Sequence, residues 1–334
     1  MAKQTYVKDP DFKHGTVYDD KTYEEIIAKY TGKTDLSGLL KLSANRPSVN
    51  GVTYVDLWWS MKNADGNRGL GQFTMFMKEG VPIRNIPRKG DPNDDRAENE
   101  GKRLAWAFGA SKAGKFGQAM VIIGKAYQQD AERMIAEYKK AGKEATPAMA
   151  QVRSSDIIEC VKTKYSKKHL EKPLEPLEDP SIPFKFDFGN FPDKHPYGTA
   201  GQPKFELYDA RTKKPNVEGK SFASYQRATV KRVQQDGSIT HEPINADNIH
   251  EFITRGSKVI LQKSVMNGAS ASMFGLAMKH IVWKAVVMPG SANVPEDERE
   301  EEEGDNDTRP EELGLGQLKI SADEAAEDLV DEFI

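Results

Sequence analysis

The chain divides into two parts of opposite charge, and that division decides how much of it can fold. From Gly290 to Ile334 there are 17 Asp/Glu and 3 Lys/Arg, a net charge of −14. The run Glu300-Glu301-Glu302-Glu303 lies in this segment, and large apolar residues are few. Such a composition buries too little apolar surface to offset the entropy of ordering, so 290–334 is expected to be a disordered acidic tail. Only Ala322 to Phe333 has the pattern of a nascent helix. The foldable body is then 1–289, which holds 45 Lys/Arg and 34 Asp/Glu, a net charge of +11. A whole-chain net of −3 conceals both values. A basic body can hold a polyanion, and a tethered acidic segment can compete with that polyanion or recruit a partner.

Other bounds are broad. A length of 334 residues allows one large domain or two small ones. No apolar run reaches 18 residues, so no membrane helix is expected, and the first residues lack an apolar signal core. The single cysteine, Cys160, excludes an intramolecular disulfide and a multi-cysteine zinc site. The expectation is an intracellular protein.

Along the body, Thr22 to Tyr30 reads as a short helix, with Tyr23, Ile26, Ile27 and Tyr30 on one side and Gly32 as its stop. Val52 to Met61 reads as a strand after the Asn50-Gly51 turn, and Gln72 to Lys78 as its hairpin partner. Gly124 to Lys140 reads as an amphipathic helix built on Tyr127, Ala131, Met134, Ile135 and Tyr138. Residues 166–204 contain seven prolines and read as a linker or loop, interrupted by a strand at Pro183 to Phe188. Strand-like runs return at 204–209, 222–233, 257–266 and 279–287, the last two separated by the Gly/Ser/Ala stretch Asn267 to Ser272. The fold class expected is mainly β with some α: an OB-fold-like β-barrel core with helical insertions. Patterning alone does not separate that barrel from a sandwich.

Three strands share one composition. In Val52–Met61, Thr53, Val55, Leu57 and Trp59 share a face, and Tyr54, Asp56 and Trp58 share the other. If the first face is core, Tyr54 and Trp58 are presented outward, where rings can stack on unpaired bases. Phe76 and Lys78 form a second aromatic and cation pair, and Tyr225, Arg227, Thr229 and Lys231 fall on one face of 222–233. Trp283, among Ile281, Ala285 and Val287, reads as core. Basic residues also cluster at Arg84, Arg88 and Lys89, at Lys102, Arg103, Lys112 and Lys115, and at Arg211, Lys213 and Lys214. Each cluster alone reads as solvated surface; together they carry much of the positive excess that polyanion binding needs.

Catalytic signals are weak. Gly109-Ala-Ser-Lys-Ala-Gly114-Lys115-Phe116 nearly matches a P-loop, but Phe116 stands where a Ser or Thr would hold magnesium. It reads instead as a Gly/Lys loop able to touch phosphates through Lys112 or Lys115. The six histidines have no ligand spacing, and no hydrolase elbow, kinase set or HExxH is present. Neither enzymatic activity nor a metal or cofactor is expected.

With its surface aromatics, its cations and its acidic tail, the chain resembles the single-stranded DNA-binding proteins of large DNA viruses and bacteriophages. These pair an OB-fold core with an acidic C-terminal tail ending in an apolar tip. The matching tip here is Leu329, Asp331, Glu332, Phe333 and Ile334. The resemblance covers the tail and the stretches 50–80 and 204–288. It implies sequence-independent binding of single-stranded DNA in replication, recombination and repair, at the site of viral or phage DNA replication in the host cell. It also implies a tail that competes for the groove and recruits replication or recombination proteins such as a polymerase, a helicase-primase or a recombinase. A homo-oligomer is compatible with it. An RNA-binding or RNA-chaperone protein and a histone-chaperone-like assembly protein are the alternative readings.

Overall fold

A computed structural model of the protein describes residues 16–18, 20–43, 53–62, 68–70, 73–75, 77, 79–84, 105–141, 157–164, 176–187, 189, 193, 200–212, 225–254, 256–272 and 275–290. These residues are mainly β, with a few helices. In chain order, β1 (Thr16–Tyr18) leads into α1 (Asp20–Tyr30), then β2 (Leu40–Ser43), β3 (Thr53–Tyr54), β4 (Asp56–Lys62), β5 (Arg68–Leu70) and β6 (Phe73–Met75). Next, β7 (Val81–Pro82) and β8 (Ala105–Gly109) precede the long helix α2 (Gly114–Ala141). After it come β9 (Ile157–Ile158), β10 (Lys162–Lys164), β11 (Pro176–Phe186), β12 (Glu206–Asp209) and β13 (Gln226–Arg227). The hairpin strands β14 (Thr229–Val233) and β15 (Ile239–Pro243), the single-turn helix α3 (Ile249–Phe252), and two long strands, β16 (Lys258–Ser272) and β17 (Gly275–Met288), follow.

Two compact units interleave along the sequence: 1–75, 115–180 and 265–280 form the first, and 76–114, 181–264 and 281–334 the second. Strands β11, β16 and β17 each lend one part to each unit.

In the first unit α2 buries Phe116, Ala119, Met120, Ile123, Ala126, Tyr127, Ala131, Met134 and Ile135, an unbroken stripe at helical spacing. Helix α1 contributes Tyr23, Ile26 and Tyr30, and Tyr23 meets Phe116 edge-on at 5.5 Å. Gly32, at φ 74°, supplies the left-handed residue that ends α1. Polar side chains of α2 hold the chain that follows. Gln129 accepts from the Leu36 N–H at 3.0 Å and donates to the Thr34 carbonyl at 2.6 Å. Asp130, 4 % exposed, accepts from the Leu42 N–H at 2.5 Å and from Arg133 Nε at 2.6 Å. Arg133 returns to the Leu42 carbonyl at 3.1 Å. Both backbone groups of Leu42 are thereby tied to one turn of helix.

In the second unit Trp106, Phe108, Phe184, Phe186 and Phe205 form an aromatic core with centroid separations of 5.1–6.4 Å. Antiparallel pairing of β8 with β11 brings four of them together, with Phe184 opposite Trp106 and Ile182 opposite Phe108. Parallel pairing of β12 with β17 sets Tyr208 beside Val286. At the end of β17, Ser257 Oγ accepts from the Gly290 N–H at 2.9 Å and Thr254 Oγ1 donates to its carbonyl at 3.0 Å. The root of the acidic segment is therefore fixed to this unit.

Several expected elements are redrawn. Val52–Met61 is two strands: β3 pairs with β16, whereas β4 pairs with β2 and β5. The hairpin partner of β4 is β5, not 72–78, because β6 pairs in parallel with β1. The strand expected at Pro183 to Phe188 within the proline-rich 166–204 starts earlier, as β11 from Pro176, with Ser181, Ile182, Phe184 and Phe186 buried. A proline removes one N–H but its φ suits extended chain. Residues 222–233 break at buried Ala228 into β13 and β14, and Asn267–Ser272 belongs to β16 rather than separating two strands. Helix α2 begins ten residues before Gly124.

Candidate nucleic-acid interface

Strands β2 and β4 place the aromatic candidates of the first unit. Val55 and Leu57, which share a face, are both buried. Leu57 stands opposite buried Leu42, and Trp58 stands opposite Lys41, which is exposed. Tyr54 is on β3, opposite Ser270. Tyr54 and Trp58 therefore belong to different sheets and do not form one continuous strand face.

In the second unit the β12–β13 edge gathers the predicted cations. Register sets Tyr208 opposite Arg227 and Asp209 opposite Gln226, and Arg211 follows in the 3₁₀ turn Ala210–Thr212. Arg211 binds Asp209 in a fork, Nε to Oδ1 at 2.9 Å and Nη2 to Oδ2 at 2.7 Å. The Asp209 carboxylate holds that guanidinium above its ordinary pKa. Arg227 pairs with Glu206, which also accepts from the Tyr208 hydroxyl at 2.7 Å and lies 3.9 Å from Lys284 Nζ. Burial and the Glu206 carboxylate both push the Tyr208 hydroxyl up. Tyr225, expected to stack on bases, is instead half-buried against the cluster of Ala210, Ile260 and Val286. Its ring is committed to packing, and burial raises its hydroxyl pKa.

Arg84 is exposed, and its backbone pairs with Ala107 beside β8. Lys112 is exposed in the 3₁₀ turn Ser111–Ala113. Lys115 forms an ion pair with Glu24, and both side chains are about half exposed. Lys231 is exposed on β14, opposite His241. Trp283 is half-buried rather than fully in the core. Phe76, Lys78, Arg88, Lys89, Lys213 and Lys214, with the tail residues Leu329, Asp331, Glu332, Phe333 and Ile334, lie outside the described residues.

The P-loop-like segment has a strand before it and a helix after it. That strand, β8, is buried but antiparallel to its neighbour, and residues 111–113 form a tight turn instead of a phosphate cradle. Phe116 is buried where a metal-holding hydroxyl would be needed. Among the described residues no three His, Cys, Asp or Glu side chains are placed to hold a metal ion, and no helix is long and apolar enough to cross a membrane.

The sequence reading missed the carboxylates. Glu206 alternates with buried Leu207 and Asp209 shares Leu207's buried face at the strand end, and each holds a candidate arginine. The Asp209-Ala-Arg211 spacing was the available signal. The chain matches no protein-family model and no curated protein.

Proposed function

We propose that the chain is a sequence-independent single-stranded DNA-binding protein acting in replication, recombination and repair, and not an enzyme. The observation that carries this reading is the charge division, +11 in 1–289 against −14 in 290–334. A body of that sign attracts phosphates and releases their counterions. Candidate contacts are the exposed Lys112, Lys231 and Arg84, whereas Arg211 and Arg227 on the β12–β13 edge are already held by Asp209 and Glu206. Rings such as Trp58 supply base stacking. The acidic tail, rooted at Gly290, competes with DNA for the body at high effective concentration and, when displaced, recruits replication proteins through Leu329 to Ile334. The finer fold in this reading is an OB-like barrel; among the described residues no pairing joins β1 to β10 to close one.

The test is titration of a labelled oligo-dT with the full chain at two salt concentrations, with matched duplex as competitor. Tight, salt-sensitive binding that duplex does not compete is expected. No binding, or equal binding to duplex, refutes the reading.

A further inference from the structure

The hairpin of β14 and β15 has two unlike faces. Its register pairs Lys231 with His241 and Val233 with Ile239 on one face, and Val230 with Glu242 and Arg232 with Thr240 on the other. The second face is tied down. Val230 is buried, and Arg232 bonds Glu242 at 2.8 Å and Glu251 of α3 at 2.6 and 2.9 Å. On the first face Val233 is 76 % exposed and Ile239 59 %. With Ile158, they are the exposed large hydrophobic residues among those described. The two face each other across the last rung before the turn 234–238.

That outward face carries no carboxylate. Glu242 is on the other face with Arg232, and Asp236 turns into its own loop, accepting from the Ser238 N–H at 2.9 Å and hydroxyl at 2.6 Å. Behind the aliphatic pair stand Lys231 and His241, both exposed. Thr229 Oγ1 lies 3.1 Å from His241 Nδ1. When this hydroxyl donates to Nδ1, the ring proton is on Nε2, where it can be given to an acceptor.

Resting on the nucleic-acid reading above, we propose that this ribbon is a second strand-binding element, in which Val233 and Ile239 wedge between successive bases while Lys231 and His241 take the flanking phosphates. Branched aliphatic groups do not stack as rings do. They fill the gap between two bases that have been drawn apart, as apolar wedges do in bent DNA. A polyanion suits a strand face that carries Lys231 and no carboxylate, the one acid of the turn, Asp236, being bonded back to Ser238.

The test compares the full-length chain with V233S/I239S and K231Q on oligo-dT over a salt series. Both aliphatic side chains are exposed, so the urea midpoint is expected to stay at the wild-type value and serves as the control for folding. The double variant is expected to lose about tenfold in affinity at every salt concentration, since apolar contact is not salt-dependent. K231Q is expected to reduce the slope of log affinity against log salt by about one phosphate contact. Wild-type affinity in the double variant overturns the ribbon contact and leaves the proposed function standing. A change of oligomeric state in sedimentation with unchanged oligo-dT affinity also overturns it, and assigns the pair to a contact between copies. Failure of the wild-type chain to bind oligo-dT overturns the function itself, and the ribbon contact with it.

Discussion

Asp130 is the residue whose loss should be felt furthest from its own position. It sits on α2 at 4 % exposure and accepts from the Leu42 N–H and from two nitrogens of Arg133, at 2.5, 2.6 and 3.0 Å. Asp130→Ala leaves the Leu42 N–H buried without its acceptor, at a cost of about 1–3 kcal/mol. Loss of the ion pair adds about 1 kcal/mol and no more, because the Arg133 side chain is 32 % exposed and water screens it. Alanine returns about 0.5 kcal/mol through helix propensity. The net expectation is about 1.5–3.5 kcal/mol of destabilisation. Asp130→Asn keeps one acceptor for Leu42 but turns an amide towards Arg133, so about half that loss is expected.

Since the clamp acts on β2, the loss is local before it is global. Urea unfolding gives the total, and amide exchange at Leu42 and at its register neighbours on β4 gives the distribution. Lys41 is the register partner of Trp58, so loosened β2 should also weaken oligo-dT binding under the proposed function. An Asp130→Ala chain within 0.5 kcal/mol of wild type, or one with unchanged protection at Leu42, would refute the reasoning.

Three further outcomes are expected. Gly124→Ala should destabilise by about 1 kcal/mol in urea despite alanine's helix preference, because a Cβ there would stand 3.0 Å from Val161 Cβ and 3.1 Å from its Cγ2; a stabilised variant would show that the 160–161 segment yields freely. Cys160, whose thiol burial pushes up to about 12 from an ordinary 9.0, should resist thiol reagents at pH 8 until the chain opens; a thiol that stays protonated when folded gives stability that is intact below pH 9 and lost as pH rises towards 12, so prompt labelling or a flat alkaline profile would contradict its burial. Glu206→Gln, which frees Arg227 and weakens the hold on Lys284, should tighten oligo-dT binding severalfold, about 1 kcal/mol for one added phosphate contact, and steepen its salt dependence; weaker binding would mean that the carboxylate positions these cations rather than withholding them.

Local pattern was legible where one element served one sheet. Helix α1 was readable from Tyr23, Ile26 and Tyr30, and the buried side of the 53–62 run from Val55 and Leu57, because the sequence period and the burial agree there. The breaks at Val55 and Ala228 were not. In each place a continuous β-forming run passes between two sheets, and the pairing partner, not the run, decides where one strand ends. Strand β11 was legible only from Pro183 on; Pro176 and Pro180 made its first half read as loop, although the strand runs unbroken from Pro176 to Phe186 and buries Ile182, Phe184 and Phe186. Tyr225 had the composition of an exposed binding face but fills a gap beside Ile260 and Val286. Side-chain packing of that kind has no period to read.

The charge division and the geometry together constrain how a polyanion could be held. Arg133, Arg211, Arg227 and Arg232 are each bound to a carboxylate of the fold. Their planar forks suit that role, since two parallel bonds to one carboxylate orient strand ends and turns as a lysine would not. Lysines Lys41, Lys112 and Lys231 are exposed, and no ion pair to them occurs among the described residues. An arginine already engaged gains little by exchanging carboxylate for phosphate, whereas a solvated lysine loses nothing but counterions. The positive excess of the body should therefore be delivered mainly through lysines acting as point charges, which read no base and fix no register. Binding of that kind is tolerant of sequence and steep in salt, so under the proposed function single-strand preference must come from apolar side chains that meet the bases.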